Sequence, residues 1–231
     1  MNVIVTEVEH YTDTLFRIKT ERPQSFRFTA GEFTMIGMGD NDIMRAYSIT
    51  SGPFDEELEF YSIKVPNGPL TSRLQHIKVG EELEIGEKPT GTLTLANIQL
   101  GGNLHLIGTG TGIAPFMSLL RDPNTYELFD TVNVYWSVRN SAELGAYDNF
   151  LKELPINYMP IVTREEYVNN KRITEYVKDG SVQLNPAQDK VMLCGSMEFN
   201  KDMTQLLLER GFEEGNRRTA GTFVLEKAFV S

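Results

Sequence analysis

Leu104-His105-Leu106-Ile107-Gly108-Thr109-Gly110-Thr111-Gly112-Ile113-Ala114-Pro115-Phe116-Met117-Ser118-Leu119-Leu120 is the stretch on which the reading of this chain turns. Residues 104–107 read as a buried strand, 108–112 as a tight glycine turn, and 113–120 as the opening of a helix. Glycines let backbone N–H groups come close to a phosphate, and a helix N-terminus adds a favourable dipole. Pro115 suits the first helical turn, where a missing N–H costs nothing. A bare strand-to-helix turn without a ligand is the alternative. A strand before and a helix after are the context that a phosphate loop requires.

Downstream the alternation continues. Residues 131–138, 158–162 and 190–193 read as strands, and 142–154, 172–177 and 199–210 as helices. Strands alternating with helices predict a parallel sheet with right-handed crossovers, its ligands beyond the carboxyl ends of the strands. Phe223-Val224-Leu225-Glu226 alternates like a last strand.

Upstream the rhythm differs. Short runs at 3–8, 15–18, 26–28, 33–36, 47–49, 58–65, 83–85 and 92–95 read as strands. Gly37-Met38-Gly39-Asp40, Ser51-Gly52-Pro53 and Pro66-Asn67-Gly68-Pro69 break them as turns. Residues 71–77 are the one helical stretch, with the Thr71 hydroxyl as expected N-cap. The expected fold is a two-domain one: an N-terminal antiparallel β-barrel, 1–98, then a C-terminal α/β doubly wound parallel sheet, 99–231.

Composition bounds the function. The chain has 231 residues, 40% hydrophobic and 23% charged, an ordinary globular make-up at a length suited to two domains. Lys plus Arg number 22 and Asp plus Glu 32, and the net charge of −10 argues against general nucleic-acid binding. The one cysteine, Cys194, can make no internal disulfide, zinc knuckle or iron–sulfur cluster, and His10, His76 and His105 lack metal-ligand spacing. No metal is expected. No apolar run of about 18 residues is present, and the N-terminus lacks the basic and apolar parts of a signal peptide. A cytoplasmic protein without membrane contact is the expectation.

A dinucleotide fold that selects NAD places an acid about 20 residues beyond its glycine loop, at a strand end. Here the second strand ends Ser137-Val138-Arg139 and the third Val162-Thr163-Arg164, with Arg172 following. Guanidinium groups pair bidentately with an additional phosphate, which favours NADP. One such arginine is usually a solvated surface charge; two strand ends finishing in Arg are less easily dismissed. Glu165 and Glu166 compete for Arg164.

In the first half, Arg45-Ala46-Tyr47-Ser48 is the most informative segment. An Arg on a strand can meet a diphosphate, and Tyr47, on its face, can stack on a flat heterocycle. Ser48 offers a hydroxyl to the edge of such a ring. A core tyrosine beside a surface arginine is the equally weighted alternative.

These segments occur in one order with Tyr61-Ser62-Ile63-Lys64-Val65, Gly68-Pro69-Leu70-Thr71-Ser72, Lys88-Pro89-Thr90-Gly91-Thr92-Leu93, Met192-Leu193-Cys194-Gly195-Ser196 and Glu226-Lys227-Ala228-Phe229-Val230. Over essentially its whole length the chain resembles the bacterial ferredoxin/flavodoxin–NADP+ reductase family. The resemblance implies an FAD-binding barrel and an NADP-binding domain. Arg45 would contact the FAD phosphates, Tyr47 would stack on the isoalloxazine, Ser48 would lie near flavin N5, and Ala46 between them would also bind FAD. Tyr61, Ser62 and Lys64 would line the ribityl and phosphate path, and Leu70, Thr71 and Ser72 would donate to the diphosphate. Thr111 would touch the flavin edge, and Ala228 and Phe229 would cover a flavin face.

On the nucleotide side, Gly110 and Gly112 would take the NADP diphosphate. Arg139, Thr163, Arg164 and Arg172 would hold the adenosine end with its 2′-phosphate. Cys194 and Gly195 would sit beside the nicotinamide, although a lone cysteine is more commonly a small buried hydrophobe. Ser48, Cys194 and Glu226 are the residues expected at the hydride transfer itself. Met197, Lys171, Gly145 and a tail ending at Ser231 depart from the family pattern.

The activity so implied is hydride exchange between NADP(H) and FAD, then single-electron exchange with ferredoxin or flavodoxin as a transient partner. A monomer is expected. A basic patch of Arg45, Lys64, Arg73 and Lys88 would offset the overall negative charge toward an acidic carrier. The alternatives are the reductase part of a larger oxygenase-type system and an NADP(H)-binding module without turnover.

Overall fold

The computed structural model describes residues 1–39 and 43–227. By its contacts the chain forms two compact units: Met1–Gly91 with Ala114–Asp122, and Thr92–Ile113 with the described residues from Pro123 onward.

The first unit holds β1 (Asn2–His10), β2 (Leu15–Glu21), β3 (Phe33–Gly37), β4 (Arg45–Ser48), β5 (Glu57–Ile63) and β6 (Glu82–Ile85). All pairings are antiparallel, in the order β4-β3-β6-β1-β2-β5. Side-chain alternation sends Val3 and Val5, Phe16 and Ile18, Leu58 and Phe60, and Leu83 and Ile85 into one core. Each such side chain contributes about 1.5–3 kcal/mol on burial. The outer strands β4 and β5 approach through side chains, with Ser62 Oγ 3.4 Å from Tyr47 OH. The sheet thus curls toward a barrel.

Three local expectations fail here and at the start of the second unit. Phe26-Arg27-Phe28 is not a strand but a loop: Arg22 donates to the Phe26 carbonyl and, at 2.8 Å, to that of Pro53, and so satisfies carbonyls that a ladder would otherwise use. α1 is a single turn, Thr71–Leu74, and Thr71 is inside it rather than capping it. Its hydroxyl donates to the Val65 carbonyl at 3.3 Å. Residues 92–95 also leave the strand pattern, because Asn97 donates to the Thr92 carbonyl and the Thr94 hydroxyl and closes a 3-10 turn at Leu95–Asn97.

The second unit is a parallel sheet of β7 (Asn103–Thr109), β8 (Thr131–Val138), β9 (Asn157–Val162), β10 (Asp189–Gly195) and β11 (Phe223–Lys227), ordered β11-β10-β7-β8-β9. β10 is buried throughout, as a central parallel strand should be. α2 (Ala114–Leu120) follows the glycine loop; α3 (Asn124–Glu127), α4 (Asp148–Glu153), α5 (Ile173–Lys178) and α6 (Met197–Glu209) follow in the second unit. The helix expected at 142–154 splits into a 3-10 turn, Ser141–Ala146, and α4. The break is Tyr147, non-helical at φ −135°, whose buried ring lies 6.3 Å from that of Trp136.

Candidate functional site

β4 opposes Arg45 to Ile36, Ala46 to Met35, Tyr47 to Thr34 and Ser48 to Phe33. Arg45 is exposed; its guanidinium donates to the Met44 carbonyl at 3.0 Å and meets no carboxylate among the described residues. Ala46, Tyr47 and Ser48 are half-buried. Burial pushes the Tyr47 phenol up, so the ring stays neutral. Adjacent strand residues face opposite ways, and β5 separates Tyr61 from Ser62 accordingly. Ser62 meets Tyr47, whereas Tyr61 lies against Tyr11 at 6.2 Å and opposite Arg17. Their side chains therefore face opposite ways. Lys64 donates to the Thr12 carbonyl at 2.9 Å and so ties down the β1–β2 turn.

Leu70 and Thr71 are buried and Ser72 is half-buried. Gly68 is required there: a Cβ would fall 2.2 Å from the Thr71 hydroxyl. The amide of Ser72 bonds the Gly68 carbonyl at 3.2 Å, and those of Leu70 and Thr71 find no acceptor among the described residues.

In the second unit the strand order reverses between β7 and β10, since β8 and β9 extend one way and β11 the other. Such a reversal opens a crevice beyond the carboxyl ends of the strands. Gly110 and Gly112 stand at that end of β7, Cys194 and Gly195 at that end of β10. A Cβ at Gly112 would lie 2.1 Å from the Cys194 carbonyl oxygen, and one at Gly195 2.3 Å from the Thr109 hydroxyl. The glycines are what allow the two loops to touch. Gly110 has φ +55° and open space above it, and Trp136 fixes it by an indole N–H bond of 2.9 Å to its carbonyl. Thr111 is half-buried in the 3-10 turn Gly110–Ile113.

Cys194 pairs in register with Glu226 of β11. Burial first, and the Glu226 charge second, push the Cys194 thiol far up, so it stays protonated and is no nucleophile. Glu226 accepts from the Thr92 amide and lies 3.0 Å from the Thr92 hydroxyl. Burial raises its pKa, and the Thr92 bonds partly offset the rise. Asn200 of α6 donates to the Glu226 carbonyl at 2.8 Å and the Gly195 carbonyl at 3.4 Å, which ties the ends of β10 and β11.

Arg139, Arg164 and Arg172 are all exposed. The Arg164 amide donates to the Arg139 carbonyl at 2.9 Å, and the Thr163 hydroxyl to the Val138 carbonyl at 3.1 Å. β8 and β9 thereby carry Arg139 and Arg164 side by side. Arg172 caps α5, with its amide bonded to Glu175 at 2.9 Å. Its guanidinium lies 3.8 Å from the Glu198 carboxylate.

A family model for the oxidoreductase NAD-binding domain matches residues 106–205. The flavodoxin/ferredoxin–NADP reductase of Rhodobacter capsulatus is 48% identical over 248 residues, covering 98% of this chain and 92% of that protein. The chain belongs to the ferredoxin/flavodoxin–NADP reductase family. Another relative, the ferredoxin–NADP reductase of Azotobacter vinelandii, is 43% identical over 98% of this chain and 96% of its own length. A solved ferredoxin NADP+ reductase from Neisseria gonorrhoeae, with bound FAD and NADP, matches with TM-score 0.93 at 30% identity, covering 99% and 98% of the two chains.

Three residues that carried no expectation from the sequence act on the expected ones. Thr92 holds Glu226, Asn200 holds Gly195, and Glu198 faces Arg172. Only Glu198 carried a local signal, as an acid in the first turn of α6. Ala228 and Phe229 lie outside the described residues. No helix among the described residues is long and apolar enough to cross a membrane.

Proposed function

We propose that this chain is an FAD-dependent oxidoreductase that exchanges hydride between NADP(H) and FAD and single electrons between FAD and ferredoxin or flavodoxin. The barrel, 1–98, is the FAD half and the α/β part, 99–231, the NADP(H) half, and the working form is a cytoplasmic monomer. The residues present suit both ligands. In the first unit, a cation that meets no carboxylate among the described residues, a neutral half-buried ring, the Ser48 hydroxyl and two amides that find no acceptor among the described residues form a donor set for a dinucleotide with a flat ring. In the second, the observation that carries the reading is the glycine loop touching Cys194 and Gly195 at the strand-order reversal, with arginines at the two neighbouring strand ends.

When bound, FAD supplies the chemistry, taking a hydride at N5 and passing electrons onward one at a time. The chain binds and orients. Arg45 takes phosphate charge, Tyr47 presents a ring face that Ser62 holds in place, and Ser48 offers a hydroxyl at the ring edge. The loop at Gly110 and Gly112 admits a diphosphate, and Arg139, Thr163, Arg164 and Arg172 take the adenosine end with its 2′-phosphate. Cys194, neutral and buried, adds bulk without charge where a nicotinamide would lie. Glu226 is committed to Thr92 and is a positioning residue rather than a proton donor. Of the cations proposed to meet an acidic carrier, Arg45 and Lys88 are exposed, Arg73 is half-buried, and Lys64 is held by Thr12.

The test is a visible spectrum of the purified protein, followed by anaerobic titration. A flavin band bleached by NADPH at far lower concentration than NADH is the expected result. A colourless protein overturns the FAD assignment, and equal response to both nucleotides overturns the arginine assignment.

A further inference from the structure

Each arginine assigned to the 2′-phosphate has an acid near it, but the acids are not equivalent. Glu143 accepts from the Arg139 amide at 3.3 Å, Glu165 from the Ser141 amide at 3.1 Å, and Glu175 from the Arg172 amide at 2.9 Å. Each of those three carboxylates accepts from a backbone amide, where it fastens a loop or a helix start. Glu198 is different. Its carboxylate faces a guanidinium: its Oε1 lies 3.8 Å from Arg172 Nη1, with the two side chains 77% and 70% exposed. It stands at the second residue of α6, three residues beyond the end of β10 at Gly195, and Ser196 already caps that helix by accepting from the Phe199 amide at 3.2 Å. The helix start therefore does not depend on Glu198. Lys171, the neighbouring cation, is drawn away to Asp179 at 3.1 Å.

We infer that Glu198 is a specificity-determining residue that acts through Arg172: it competes with the nucleotide's 2′-phosphate for the guanidinium and so narrows the preference for NADP(H) over NAD(H). The argument rests on the reading of the arginines given above. A 2′-phosphate that pairs with the Arg172 guanidinium must displace the Glu198 carboxylate or share the cation with it, and the two like charges then oppose each other. A nucleotide with a free 2′-hydroxyl meets no such opposition. The carboxylate thus lowers affinity for the phosphorylated form and leaves the other untouched or slightly favoured.

The test is equilibrium binding of 2′,5′-ADP and of 5′-ADP to the intact protein by calorimetry, for the wild type, Glu198→Gln, Glu198→Asp and Arg172→Gln. Glu198→Gln should tighten 2′,5′-ADP by about two- to fivefold at low ionic strength, the range that an exposed ion pair allows, and leave 5′-ADP unchanged. The gain should shrink with added salt, vanish when Arg172→Gln is also present, and be absent in Glu198→Asp. A wild type that binds the two ligands equally overturns the arginine assignment and the inference together. A wild type that prefers 2′,5′-ADP while Glu198→Gln keeps the same ratio overturns the inference alone. An equal gain for both ligands also overturns it, because a merely structural effect on α6 would not discriminate the 2′-phosphate.

Discussion

The two units hold their candidate ligand residues in opposite ways. In the barrel, Tyr47 packs against the core, Ser62, Leu70 and Thr71 are buried, and Ala46 and Ser48 are half-buried. In the α/β unit, Arg139, Arg164 and Arg172 stand exposed on strand ends above a core, including Ile107, Ile161, Val191 and Leu193, that does not use them. A barrel residue there belongs to the frame whatever ligand it is proposed to meet. The α/β arginines lie outside the core, and the role proposed for them is toward the ligand. The glycine loop is the exception in the second unit, since Gly112 is fitted against the Cys194 carbonyl as tightly as any core contact.

That exception carries the largest expected effect. Gly112→Ala places a methyl group 2.1 Å from a backbone oxygen, which neither strand can yield without moving. It should cost more than about 3 kcal/mol of stability, beyond the usual range of overpacking, and depress nucleotide binding with it. Gly110→Ala, in open space but at φ +55°, should cost only about 1–2 kcal/mol. Thermal melts of the pair check this; similar losses would mean that the loops do not touch as described. Next in size is Tyr47→Ala, which should remove about 2–4 kcal/mol of stability together with the bound chromophore. Tyr47→Phe loses only the 3.4 Å contact with Ser62 and should stay within about 1 kcal/mol of wild type. A stable but colourless Tyr47→Ala protein would break the contrast between units.

The same contrast explains what could be read from the chain alone. The alternating strands and helices after residue 99 were legible because each element carries its own periodicity, and the arginines because they fall where a strand stops. The barrel strands were legible too, except where a side chain took over a backbone partner. Phe26-Arg27-Phe28 has strand composition but gives a carbonyl to Arg22, and Thr71 looks like a cap but spends its hydroxyl on Val65. Sequence spacing carries no sign of such a bond. The facing of Tyr61 away from Ser62, by contrast, follows from period-two alternation alone. Thr92, 134 residues from Glu226, had no local signal at all.

Removing the exposed cations should sharpen the contrast from the other side. Arg164→Gln and Arg172→Gln should each weaken NADPH binding by roughly 1–3 kcal/mol, as charge-assisted bonds suggest. Each should leave stability within about 0.5 kcal/mol, since neither side chain packs in the core. Binding titrations and melts on the same preparations decide it. A melting change as large as that of Tyr47→Ala would place these arginines in the frame rather than at the ligand.

The smallest effect concerns Glu226, which belongs to the second unit yet behaves like a barrel residue because it is half-buried with a structural partner. Its folded pKa lies above the ordinary 4.5, mainly from burial. Below that ordinary value the carboxyl is protonated folded or unfolded, and the group contributes its full stabilising difference. As pH rises through the raised folded pKa, ionisation inside the protein erodes that difference. Glu226→Gln keeps an oxygen that can accept from the Thr92 amide and removes the buried charge. The variant should melt about 1–3 °C above wild type at pH 7–8, and the two curves should converge as pH falls toward 4.5. If the variant is the less stable at pH 7–8, the carboxylate itself is needed, and the Thr92 contact is a charge-assisted bond worth more than its desolvation.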